Sequence, residues 1–255
     1  MDEDWSSVSA PIGAFDHIVV IDEVGSTQDE ARRLADGRPG LVVIAKRQVG
    51  GRGRQGRAWS DAGGASLSMS IVVENALPAA GLSLAVGLGV VEACEGLGAQ
   101  GLGLKWPNDV VERTETGRGR KLAGVLIEAF RNLAVIGVGL NVGQADSDWP
   151  SELRDAAVSL RQMGVVVGRP EVASAVLESV SRWLGASAES VRRRWMEIGT
   201  LRGQSCVFSV EGRPVAGVVV DLDAQWRLVL EQPSGGRVRL DSAHAHLEEV
   251  GGLRS

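Results

Sequence analysis

The chain of 255 residues has only two cysteines, no tyrosine, three phenylalanines and three histidines. Cys94 and Cys206 lie far apart, which offers no disulfide framework and no ligand set for a structural zinc, so a cytoplasmic location is expected. His17, His244 and His246 are too scattered for a metal centre and are assigned no chemistry. Few aromatic rings mean few platforms on which nucleic-acid bases could stack. No G-x-x-x-x-G-K-[ST] run is present, which removes a P-loop, and no G-x-S-x-G elbow, which leaves a triad hydrolase little support. The N-terminal MDEDWSSVSAPIGAF is acidic where an export leader is basic and lacks a long apolar run. The longest uncharged stretch, residues 75–91, contains Pro78, Ser83 and three glycines. It stops short of the roughly 20 apolar residues that cross a bilayer, so it reads as a buried helix and no membrane partner is expected.

What the chain does have is an ordinary globular balance, 44% hydrophobic and 23% charged, with 34 glycines gathered around motifs. Twenty-seven basic against 32 acidic side chains give a net charge of -5, which disfavours a general DNA-coating role. At a prior of about 150 residues per domain, the length suits one large domain or one large and one small.

The pattern alternates between strand and helix. Residues 16–22 and 41–48 read as strands, and GSTQDEARRLADG between them as a turn and short helix with Ser26 or Thr27 as N-cap and Thr27 with Glu30 as a capping box. A glycine-rich loop, 50–65, precedes an alternating strand at 66–74, and an apolar helix covers about 78–97. Residues 102–112 read as strand, Pro turn, strand. Residues 113–120 form a charged hairpin tip, and 121–130 and 132–143 two adjacent strands of a meander. Two amphipathic helices follow from Glu171, and after Gly199 the texture changes to short strands with turns, which suggests a small β-barrel. The expectation is an α+β fold with a mixed, largely antiparallel sheet flanked by helices, domain 1–202, and a small β-barrel domain, 203–255.

The chemistry concentrates between Lys46 and Arg57, where five positive side chains (Lys46, Arg47, Arg52, Arg54, Arg57) occur with no acid. Glycines 50, 51, 53 and 56 let the backbone bend so that N–H groups converge on an anion while the arginines supply forked donors. The alternative is a solvated hairpin tip. A second basic stretch, Arg118, Arg120 and Lys121, favours the anion cradle. GRGRQG at 51–56 and GLGAQG at 96–101 satisfy G-x-G-x-x-G literally, but neither opens a Rossmann helix.

GSTQDEA (25–31), QVGGRGRQGRAW (48–59), KWPNDV (105–110), KLAGVLIE (121–128) and GVGLNVG (137–143) occur in the order and spacing of biotin protein ligases, which the chain resembles over about residues 17–250. The resemblance implies a fold like that of class II aminoacyl-tRNA synthetases with an SH3-like C-terminal barrel. It also implies ATP-dependent activation of biotin to biotinyl-5′-AMP and transfer to a lysine of a biotin carboxyl carrier domain of an acyl-CoA or pyruvate carboxylase, with Mg²⁺ accompanying ATP. Because the catalytic pattern starts within about fifteen residues, the resemblance is to group I members, without a DNA-binding repressor domain, so no DNA partner is expected. Relatives are monomers or ligand-dependent homodimers.

By the same resemblance, Ser26, Thr27, Gln48 and the backbone at Gly51 and Arg52 bind the ureido ring and body of biotin, with Gly124 giving close approach and Trp106 shaping a wall. Arg52, Arg54 and Arg57 close over the biotin carboxylate and phosphates, and Lys121 bridges carboxylate and α-phosphate. Lys121, Arg52 and Arg54 are the expected catalytic groups. Trp59, Asn108 and Asn141 are expected at the nucleotide, and Asp109 at Mg²⁺ or the incoming lysine. Simpler readings stand beside these: helix caps for Ser26 and Thr27, core packing for Trp59 and Trp106, a plain turn for Asn108 and Asp109. Gln28 stands where many relatives carry Asn, which bears on the cap. Rival functions are a lipoate-type ligase, a nucleic-acid binder and a non-catalytic binding module.

Overall fold

The computed structural model describes residues 3–61 and 63–251; the outermost ends of the expected domains, 1–2 and 252–255, lie outside them. Seven strands form one sheet: β1 (His17–Val24), β2 (Leu41–Gln48), β3 (Ser66–Glu74), β4 (Leu102–Lys105), β5 (Asp109–Glu112), β6 (Lys121–Phe130) and β7 (Leu133–Asn141). Their order is β1-β2-β3-β7-β6-β5-β4, and only β1 and β2 run parallel. The parallel pair needs a crossover, supplied by α1 (Thr27–Leu34).

Period-two alternation sorts the strands' side chains onto two faces. Val42, Ile44, Met69, Ile71, Ile136, Val138 and Leu140 enter the main core with α2 (Ala79–Gly96) and α3 (Arg169–Leu184). Leu41, Val43, Val72, Leu133 and Val135 join a smaller core under Ala31 of α1 and Ala35, which caps its C-terminus. The apolar α2 is long and hydrophobic enough to cross a membrane by composition alone, yet it is packed against α3 and the sheet, as expected of a core helix. Gly87 and Gly89 permit this: a Cβ at Gly89 would lie 2.7 Å from Val180 Cα, and one at Gly87 2.8 Å from a Leu104 methyl.

After α4 (Ala188–Ile198), a five-stranded antiparallel sheet holds β8 (Ser205–Val210), β9 (Arg213–Leu222), β10 (Leu228–Glu231), β11 (Arg237–Leu240) and β12 (Ala245–Val250), in the order β11-β10-β9-β8-β12. This antiparallel sheet stands where a small SH3-like barrel is expected and is consistent with that fold, although its pairing does not close and leaves β11 and β12 at the edges. Trp106 joins the two sheets. Its indole donates to the Trp226 carbonyl at 3.4 Å and meets the Phe208 ring edge-on at a centroid distance of 6.2 Å.

Two local expectations fail. The Thr27–Glu30 capping box does not form: Ser26 is the N-cap without a side-chain bond, and the Thr27 hydroxyl turns to the sheet. Of the second basic stretch only Lys121 reaches a cavity. Arg118 donates to the Val250 carbonyl and Arg120 pairs with Glu112 at 2.7 Å, so both brace the β5–β6 connection.

Candidate active site

Beyond the end of α1, the face of the sheet that carries this helix loses its large side chains. Across β3, β7 and β6 the register aligns Ser70 with Gly137 and Leu126, and Ser68 with Gly139 and Gly124. Small residues on β3 and β7, with Gly124 on β6, leave a depression whose empty space, open to solvent, is about 490 Å³. Trp59 lies in it, with Gly139 beneath: a Cβ there would sit 2.3 Å from the indole ring.

One end of the depression is polar. The N–H of Thr27 donates to Gln48 Oε1 at 2.8 Å, and its hydroxyl to the same oxygen at 3.1 Å while accepting from Ser70 at 2.8 Å. Asp61 Oδ2 holds the Gln48 backbone N–H at 3.0 Å, and burial raises the Asp61 pKa. Ser26 lines the same end, and Gln28 lies over Gly137. Gly51 is not on the wall; it lets the loop fold tightly, because a Cβ there would meet Gln48 Nε2 and the Trp59 carbonyl, both at 2.7 Å.

The other end is cationic. Lys121 Nζ lies 2.7 Å from Asp109 Oδ1 and 5.7 Å from the Trp59 ring centroid. Arg54 is half-buried and donates to Asn108 Oδ1 at 3.2 Å and to the Ser242 carbonyl of the C-terminal unit at 2.5 Å; burial lowers its pKa. Arg52 forms a two-pronged pair with Asp29, 2.7 Å for each bond, and the pair holds the Asp29 pKa down. Arg54, Asn108 and Lys121 also line a second, more open cleft of about 890 Å³. Arg57, Lys105 and Asp109 line it from one side, Phe208 and His246 of the C-terminal unit from the other. Gln55, at φ +58°, places its amide 2.6 Å from His246 Nδ1.

The sequence-based assignments thus fall into two groups. Ser26, Thr27, Gln48, Arg52, Arg54, Trp59, Asn108, Lys121 and Gly124 converge on the first cavity; Arg57 and Asp109 line the second. Trp106, expected on a wall of the first cavity, lines the second instead, packed against the C-terminal unit, and Asn141 lines neither. Asn141 is buried and spends its amide on the Lys121 and Val158 carbonyls at 3.2 and 3.0 Å, so it holds the strand that carries Lys121. Sequence reasoning did not assign Gly137, Gly139, Asp29, Asp61 or Glu128. The available signal was small residues at every second position, Ser66-x-Ser68-x-Ser70 opposite Gly137-x-Gly139.

Among the described residues no group of three or more His, Cys, Asp or Glu is placed to hold a metal ion. Asp109 is a single carboxylate already paired with Lys121, so a divalent ion at this point would need substrate oxygens as its other ligands.

Residues 20–143 match the biotin/lipoate A/B protein ligase family. The biotin--[acetyl-CoA-carboxylase] ligase of Mycobacterium tuberculosis is 38% identical over 242 residues, 88% of this chain and 86% of that protein. The enzyme of the same name from Paracoccus denitrificans is 29% identical over 84% of this chain and 93% of that one. Among solved structures, biotin protein ligase from Aquifex aeolicus, in complex with biotin and ATP, superposes with a TM-score of 0.81 at 27% identity, covering 92% of this chain and 99% of that one. With that identity to the mycobacterial ligase over most of both lengths, the chain belongs to the biotin protein ligase family.

Proposed function

We propose that this chain activates biotin with ATP and transfers it to a lysine of a carrier protein. The observation that carries the reading is the place of Lys121, on the wall shared by a glycine-floored cavity and an adjoining cleft. Biotin occupies the first cavity with its ureido ring at Thr27 and Gln48 and its carboxylate at Lys121; the triphosphate of ATP, with its Mg²⁺, occupies the second.

In the first step a biotin carboxylate oxygen bonds to the α-phosphorus and the α–β phosphoanhydride bond breaks, releasing pyrophosphate. In the second, a lysine amine attacks the acyl carbon, AMP leaves and the amine loses a proton. Both steps bring anions together or disperse charge, so preplaced cations lower the barrier. Lys121 neutralises the carboxylate and the α-phosphate at their point of contact, and Arg54 and Arg57 face the phosphates. Arg52, held by Asp29, keeps the loop over the biotin body. The Aquifex protein's complex with biotin and ATP supports this pairing of ligands.

Residues 1–202 act as the ligase unit and 203–255 as the accessory unit that closes the nucleotide cleft. The acceptor is a biotin carboxyl carrier domain of an acyl-CoA or pyruvate carboxylase in the cytoplasm. Incubating such a domain with the protein, MgATP and biotin and measuring its mass tests the reading. Addition of one biotinyl group at one lysine is expected; an unmodified domain together with no biotin-dependent pyrophosphate exchange overturns it. Exchange supported by lipoate and not by biotin assigns the site to the other branch of the family.

A further inference from the structure

Arg169, the first residue of α3, lines neither cavity. Its side chain is 14% exposed, and every guanidinium nitrogen has a partner. Nε and Nη2 pair with Glu3 Oε2, both at 2.7 Å, and the Arg169 backbone N–H donates to Glu3 Oε1 at 3.0 Å. Nη1 donates to the Lys46 carbonyl at 2.6 Å and to the Ser66 carbonyl at 3.3 Å. The β2–β3 ladder ends at the pair Ala45 and Ser68, so these carbonyls lie just past it, where the strands part into the glycine-rich loop. The returning limb passes close by: a Cβ at Gly64 would lie 3.2 Å from the Lys46 carbonyl oxygen and 3.9 Å from Nη1. Farther out, the Gly53 N–H donates to the Arg57 carbonyl at 2.7 Å and the Trp59 N–H to the Gly51 carbonyl at 2.9 Å. The loop is thus tied across itself and carries Arg52, Arg54 and Trp59 on one ribbon.

We infer that Arg169 is a positioning residue for the ligase reaction: by holding both limbs of the loop at its base, it sets the place of Arg52, Arg54 and Trp59 at the cavities without touching a substrate. A planar guanidinium meets one carboxylate with two donors and still offers a third to the two carbonyls. A lysine ammonium, a single point of charge, does not reproduce that spread. Glu3, from the N-terminal segment, neutralises and orients the guanidinium, and its place at the first turn of α3 suits a carboxylate. With the base released, the loop samples open positions, and ligand affinity falls in proportion to the closed fraction. The effect on ligand affinity rests on the proposed biotin reading; the hold on the loop does not.

Two measurements on the full chain test this: calorimetric titration with biotin, and brief trypsin digestion of the protein without ligand, its fragments read by mass. Arg169→Met is expected to bind biotin about 3- to 30-fold more weakly than wild type. It is expected to be cut after Arg52, Arg54 and Arg57 about tenfold faster, with cutting after Arg237 in β11 unchanged. The second site separates a loosened loop from a loosened fold, which speeds cleavage at both. Arg169→Lys keeps the charge and is expected to restore little of either property. Glu3→Ala leaves the Nη1 contacts in place and gives a smaller shift in the same direction, about two- to fivefold. Arg169→Met that folds and keeps the wild-type affinity or the wild-type loop cleavage overturns the inference. Cleavage after Arg237 that rises in step with the loop also overturns it, because the arginine then supports only the fold. If Arg169→Met does not fold, unaltered affinity and loop cleavage in Glu3→Ala overturn it. Wild type that binds no biotin defeats the proposed function, and the digestion, which needs no ligand, still decides this inference.

Discussion

The ammonium of Lys121 and the carboxylate of Asp109 are 2.7 Å apart although they do not face each other in the β5–β6 ladder, where Asp109 is opposite Gly124 and Lys121 opposite Val111. The lysine reaches along its own strand over Gly124, where a Cβ would stand 2.9 Å from Nζ. The pair therefore needs both the glycine and the register shift between Val110 and Val111. Asp109 holds the amine at the boundary of the two cavities.

Lys121→Ala is expected to lower biotin-dependent ATP/pyrophosphate exchange by about ten- to a thousandfold, each tenfold being about 1.4 kcal/mol of transition-state stabilisation. Asp109→Asn, which keeps the amine and removes its partner, is expected to cost less in the same assay. Equal exchange by wild type and Lys121→Ala removes the lysine from the mechanism.

Arg54 ties the loop to the Ser242 carbonyl and to Asn108, so it fastens the lid of both cavities at once. Arg54→Gly is expected to release the acyl-adenylate to water, seen in a single-turnover experiment as faster loss of intermediate without acceptor. Retention equal to wild type speaks against this fastening role.

Gly139→Ala places a methyl group against the Trp59 indole, with ring carbons at 2.3–2.8 Å. Because backbone on one side and a ring on the other cannot both yield, Trp59 is expected to leave the cavity floor. The readouts are a red-shifted Trp59 emission, measured against a Trp59→Phe control, and weaker biotin binding. Unchanged fluorescence and affinity show that the glycine is not needed there.

Burial raises the Asp61 pKa above its ordinary 3.8. The folded chain then holds this proton more tightly than the unfolded one, so stability is greatest below the ordinary value and falls as pH rises through the folded-state value. Asp61→Asn removes that loss. Thermal melts at pH 3.5 and at pH 7 should show the variant gaining on wild type at the higher pH; a gap independent of pH contradicts the assignment.

Strand and helix limits were readable because periodicity, glycine and proline mark them: the expected ranges 41–48, 66–74 and 121–130 coincide with β2, β3 and β6. Residues of the site were readable where charge stood out against an acidic chain, as with Arg52, Arg54 and Lys121. What could not be read was direction. Arg118 and Arg120 belong to the same basic run as Lys121, but their partners, the Val250 carbonyl and Glu112, depend on tertiary contacts that no local pattern encodes. Trp106 and Asn141 sit inside quoted motifs yet act on neighbouring backbone, the Trp226 carbonyl in one case and the Lys121 and Val158 carbonyls in the other. Thr27 looked like a cap because a hydroxyl beside a helix start usually is one; here Gln48 and Ser70 outcompete the helix for it.

The hollow exists only because Ser68 and Ser70 stand level with Gly139 and Gly137 on the neighbouring strand. A slip of β7 by a single residue would turn Ile136 and Val138 outward to fill it and send the two glycines into the hydrophobic interior, leaving a hole there. Recognition and folding are thus enforced by the same pairing, and a molecule that misaligns this ladder loses its binding place and its stability in one stroke.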